Sequence, residues 1–188
     1  MPRVFVRSLL VTVAAASAAG ILTMTGTAQS RGPATTALSD AEIAHIAVTA
    51  NDIDVEIAKI AEARATDSGV RRFAERMMRD HSGVIARARA VANRLAIAPA
   101  DNAVSRSLRH DASGAKARLS KLRGRAFDRA YMDREIAYHQ AVLDALDDTL
   151  IPGARNRELR DLLEHVHPVM VVHLEQAKQI RASLGGMR

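Results

Sequence analysis

At 188 residues the chain is long enough for one domain with a substantial core. Its 27 basic and 21 acidic side chains give a net charge of +6, which becomes +4 (25 against 21) once a leader carrying Arg3 and Arg7 is set aside. That balance and an aromatic content of 3% argue against a nucleic-acid partner, and the lack of cysteine excludes disulfides, thiol catalysis, cysteine metal sites and lipoprotein attachment.

The N-terminus opens with the basic "MPRVFVR", continues with an uncharged stretch from Ser8 to Met24, and turns small and polar in "TGTAQS". Positive, apolar, then small is the order of a secretory signal peptide, and Gly26-Thr27-Ala28 places cleavage after Ala28. The alternative is an uncleaved inner-membrane anchor, since the apolar stretch is only just short of a span. Residues 1–28 are therefore expected to be a signal peptide, 29–38 a flexible leader and 39–188 the folded domain, located in the periplasm or secreted.

Ser39 starts "SDAE", a capping box with Glu42 at the third helical position, and the first helix is predicted to run to about Arg64. After the turn "ATDSG" a second helix is predicted from Val70 to Leu95, ended by "AIAPADN". A shorter basic helix fits Ser105 to Leu122 and stops at Gly124. A long helix fits Ala126 to Leu150 before "IPG", and Asn156 caps a last helix running to about Leu184. No stretch shows strand alternation. The expected fold is all-α: a ferritin-like four-helix bundle made of two antiparallel pairs, joined by a long crossover that contains the short helix.

Counting 100° per residue assigns the faces. The apolar stripe of the first helix (Ile43, Ile46, Ala50, Ile53, Ile57, Ala61) includes Asp54. That of the second (Val70, Phe73, Ala74, Met77, Val84, Ala88, Val91, Leu95) has His81 at its centre. Glu135 and His139 share the side of Tyr131, Val142 and Leu146 on the fourth helix. His173 lies in the stripe of Leu162, Val166, Val169, Met170, Ala177, Ile180 and Leu184 on the last. Rise per residue puts these five ionisable side chains within about two turns of one level. Buried ionisable groups need partners, and two readings stay open. One is a hydrogen-bond network that fixes helix register. The other is a metal site of three imidazoles and two carboxylates, suited to a single Fe, Mn or Zn ion.

Other signals weigh less. Arg106, Arg109, Lys116, Arg118, Lys121, Arg123 and Arg125, against Asp111 alone, make the crossover basic. It reads either as a solvated face or as a weak contact for anionic envelope components. Met77 and Met78 read as core filling, Tyr131 is in reach of the cluster, and Pro168 is expected to kink the last helix. No phosphate-binding loop or nucleophilic Ser–His pattern is present, and no catalytic residue is identified.

The segments "ANDIDVEIAKIA", "FAERMMRDH", "FDRAYMDREIAYHQAVLDALD" and "VVHLEQAKQI" resemble the bacterial domain-of-unknown-function family 4142 from about Asp40 to Ile180, with "RDH", "YHQ" and "HLE" the most specific elements. Its members are often described as outer-membrane or exported proteins. The resemblance implies an exported ferritin-like bundle and no established reaction. Ferritin-like diiron proteins carry Glu-x-x-His on two helices. Here Met78, Ile136 and Met170 stand three residues before His81, His139 and His173, so a single ion fits better than a diiron centre. The resulting expectation is an exported envelope protein, non-enzymatic or stress-associated. The alternative is a metal-binding or metal-dependent redox protein that uses Asp54, His81, Glu135, His139 and His173.

Overall fold

The structure, a computed structural model, describes residues 37–185; the expected signal peptide and most of the expected leader lie outside the described residues. The described chain is all-helical, without a strand. It consists of α1 (Asp40–Arg64), α2 (Ser68–Arg94), α3 (Ala103–Ser120), α4 (Gly124–Ala145), a π-helical turn (Leu146–Leu150), the short α5 (Ile151–Gly153) and α6 (Arg157–Ser183). None of these helices is long and apolar enough to cross a membrane.

The helices begin where side chains can satisfy their first amides. Ser39 and Glu42 form the reciprocal capping box of α1, with Ser39 N donating to Glu42 Oε2 over 2.9 Å. Asp67 accepts from Gly69 N and Val70 N at the start of α2, Asn102 from Ser105 N at α3, and Asn156 from Glu158 N at α6. At the end of α3 the guanidinium of Arg64 accepts the helix's exposed carbonyls, donating to Leu119 O, Ser120 O and Leu122 O.

Two departures from the sequence expectation have local causes. The predicted helix to Leu150 widens into a π turn over its last five residues. Pro152 follows, with no N–H for the helical ladder and a ring that crowds the carbonyl four residues back. The expected break at Pro168 is absent: α6 runs unbroken from Arg157 to Ser183, and Pro168 sits on its exposed face, where solvent can take the carbonyl left free.

Helix α1 packs along α2 and α4 along α6; α2 also meets α6, α1 meets α4, and α3 lies against α1. This helical bundle has two apolar clusters. One gathers Ile57, Phe73, Met77, Phe127, Tyr131 and Met132; the other Ile43, Val84, Leu143, Leu146, Leu163 and Met170. On α2, α4 and α6 the chain passes from one cluster to the other at His81, at Glu135 and His139, and at His173, so the polar residues stand between two dry regions. On α6 the buried leucines are Leu159, Leu163 and Leu174, while Leu162 and Ile180 from the predicted stripe are half-buried. Leu108, Ala112, Ala115 and Leu119 turn α3 toward the core, leaving Arg106, Arg109, Arg118, Lys121 and Arg123 exposed.

Both helix–helix bends are fastened by a carboxylate from another helix. Asp128 on α4, fully buried, accepts from Thr66 N, Thr66 Oγ1 and Asp67 N at 3.1, 2.6 and 3.0 Å, at the bend between α1 and α2. Asp40 on α1 accepts from Arg155 N and Asn156 N at 2.8 and 3.0 Å, at the bend before α6. Removing the carboxylate in Asp128→Ala strands buried donors, so urea unfolding should show a loss of roughly 2–3 kcal/mol. A loss within about 0.5 kcal/mol, the range of an ordinary surface change, would show that the clasp contributes nothing.

Candidate functional site

The five polar residues singled out by helical counting converge. Asp54, His81, Glu135, His139 and His173 are 0%, 2%, 0%, 0% and 1% exposed, so water does not reach them freely. The three imidazole rings form a near-equilateral cluster, with centroids 5.6 Å apart for His81–His139, 5.3 Å for His81–His173 and 5.4 Å for His139–His173. A nitrogen from each lies within 4.8 Å of the other two, and atoms of Asp54, Glu135 and His139 form a second triple within the same limit. His139 belongs to both.

Each imidazole is held from behind by the protein. Asn51 Nδ2 donates to Ala47 O over 2.8 Å, which turns Asn51 Oδ1 toward His81 Nδ1 at 2.6 Å. An oxygen can only accept there, so the Nδ1 of His81 carries the proton. His139 Nδ1 donates to the Glu135 carbonyl over 3.0 Å, and His173 Nε2 to Asp80 Oδ2 over 3.0 Å. The second nitrogen of every ring (Nε2 of His81, Nε2 of His139, Nδ1 of His173) is buried without a hydrogen-bond partner.

The carboxylates repeat this arrangement. One nitrogen of Arg134, Nη1, donates to Asp54 Oδ1 and, over 2.6 Å, to Glu135 Oε1. Asp54 Oδ2 and Glu135 Oε2 have no hydrogen-bond partner. Asp54 Oδ2 lies 2.9 Å from His81 Nε2, yet the two atoms are not aligned as donor and acceptor. Two ligands of one cation, each at about 2.1 Å, end up near this separation.

Electrostatics keep the inward atoms ready to donate electron pairs. Burial, with the other imidazoles adding to it, takes His139 down to about 4 and lowers His173 against the pull of Asp80, so both rings are neutral at pH 7. Burial alone would raise Asp54, but His81 and Arg134 outweigh it and hold the carboxyl well below the usual range. Glu135 is pushed up to about 8 by burial and by Asp54, against the pull of Arg134. Arg134 stays charged: burial opposes its charge, and the two carboxylates more than compensate.

Asn51, Asp80 and Arg134 were not identified from the sequence. Asp80 and Arg134 each precede a candidate residue and lie about 100° off its face, where counting places a side chain at the flank of the stripe. Tyr131, expected near the cluster, is buried with its hydroxyl unpartnered; burial, Glu135 and Asp54 keep the phenol protonated. Met77 and Met170 are buried among apolar neighbours as core filling. The cavity that touches the cluster at His81 measures about 30 Å³, is lined mainly by Ala47, Ala50, Val84 and Val166, and has room for a water-sized molecule or two.

In comparison with known proteins, the family model described as a domain of unknown function (DUF4142) matches residues 25–180. No curated protein and no solved structure matches the chain.

Proposed function

Since the chain belongs to the DUF4142 family, whose description carries no activity, we propose its function from the site itself: it is a metal-binding helical bundle that holds one divalent transition-metal ion between its long helices. The observation carrying this reading is that all five candidate residues have one polar atom fastened by the protein and the other buried and unpartnered. Metal-binding histidines are held in this way, with the second ring N–H given to a carbonyl or carboxylate. A buried network designed only to satisfy itself would not leave five such atoms in one place.

His81, His139 and His173 would supply the imidazoles, and Asp54 with Glu135 the oxygens. Nitrogen and oxygen donors without thiolate suit Zn, Fe or Mn. The small cavity beside the cluster supports holding an ion over turning over an organic substrate. The wider reading is an exported, ferritin-like four-helix bundle of the bacterial envelope: two helix pairs joined by the α3 crossover, following a cleaved leader.

One contact favours a second reading. A proton on His81 Nε2 would convert the 2.9 Å approach to Asp54 into a buried ion pair, and the cluster would then be a register-fixing network. Elemental analysis and calorimetric titration with Zn, Mn and Fe(II) separate the two. The metal reading expects one ion per chain, lost in His81→Ala/His173→Ala. Metal-free protein that takes up no ion on titration would leave only the network.

A further inference from the structure

Arg134 is an odd neighbour for a cation site. Its side chain is 10% exposed, and its Nη1 bridges two fully buried carboxylates that come from different helices, Asp54 on α1 and Glu135 on α4. The guanidinium carbon lies 4.0 Å over the ring of Tyr138, whose hydroxyl donates to Ala50 O over 2.7 Å. The ring is thereby tied to α1, and the guanidinium has a fixed platform.

Each carboxylate has a cation on one side and the imidazole cluster on the other. Asp54 gives Oδ1 to Arg134 and turns Oδ2 to His81; Glu135 gives Oε1 to Arg134, while Oε2 lies 3.6 Å from His139 Nδ1. Paired carboxylates that place one oxygen on each of two cations are the bridging elements of dinuclear metal centres. Here one of the two cation positions is filled by a side chain that stays protonated.

We propose that Arg134 takes the place of a second metal ion and thereby keeps the centre mononuclear. The inference rests on the metal-binding reading and adds what limits that site to a single ion. It makes Arg134 a positioning residue: removing its charge leaves two buried carboxylate oxygens in need of a cation, and a divalent ion can meet that need between Asp54 and Glu135.

The test is metal stoichiometry by elemental analysis and native mass spectrometry after loading with Mn(II), with electron paramagnetic resonance to detect spin coupling between neighbouring ions. One Mn per chain is expected for the unaltered protein and two, spin-coupled, for Arg134→Ser. Millimolar guanidinium should displace the second ion and restore the uncoupled spectrum. If Arg134→Ser does not fold, Arg134→Gln carries the same expectation, because it keeps a chain over Tyr138 and loses the charge. Arg134→Lys should stay at one ion. One Mn in both the unaltered protein and the uncharged variants would overturn the proposal. No Mn in the unaltered protein and one in Arg134→Ser would support the role of Arg134 while overturning the single-ion function. No Mn in either overturns both.

Discussion

Stripping the ion with a chelator should lower the thermal midpoint of the protein by on the order of 10 °C. A ligand that binds only the folded state adds about 4 kcal/mol at a free concentration a thousandfold above its Kd, and each kcal/mol is worth about 2–4 °C for a domain of this size. The unfolded chain offers no competing site of similar quality. Its imidazoles are spread over three helices and its carboxylates over two, all brought together only by packing. Differential scanning calorimetry with and without chelator, repeated on His81→Ala/His173→Ala, checks this. The double variant should melt at one temperature whatever the chelator. A midpoint in the unaltered protein that ignores both added metal and chelator would count decisively against an ion in the core.

The second large effect is expected at Asp54. In Asp54→Ala the buried guanidinium of Arg134 loses one of its two anions and the ring of His81 loses the oxygen it faces. Breaking a buried charge pair from one side costs about 3–5 kcal/mol, because the remaining charge stays desolvated. Urea unfolding of the metal-free protein should therefore show a loss of that size, separate from any effect on metal affinity. Asp52 provides the control two residues away. It is partly exposed and 4.0 Å from the well-exposed Arg89, so Asp52→Ala should change stability by no more than about 1 kcal/mol. Equal losses at the two positions would show that Asp54 is an ordinary surface-like acid and that the charge arrangement around Arg134 has been misread.

The sequence is most informative where the physics is local. The capping box at Ser39 and Glu42, and the cap at Asn156, mark helix starts through contacts within four residues, and α1 ends at Arg64 as the pattern predicts. The same holds for the inward direction of Asp54, His81, Glu135, His139 and His173, because a 100° step per residue depends only on the helix itself. What counting misses is reach across helices. Arg134 is on the flank of α4, and only the nearness of α1 shows that its long side chain bends inward to Asp54. Asp80 counts as an outward residue on α2 until α6 brings His173 to it, and Asn51 becomes the rear support of His81 only when α1 and α2 pair. The π turn over Leu146–Leu150 is a compromise between Pro152 and the buried Leu146 and Leu150, which helical periodicity alone does not reveal.

The reciprocal fastening by Asp128 and Asp40 has a consequence for how the chemistry comes into being. Neither half of the chain is a finished module: the first half borrows an anion from α4 to close its bend, and the second borrows one from α1. The donor atoms are divided in the same way, with Asp54 and His81 in the half synthesised first and Glu135, His139 and His173 in the other. A nascent or half-docked polypeptide therefore holds only a fragment of the ligand set, and capture of the ion becomes a property of the completed molecule.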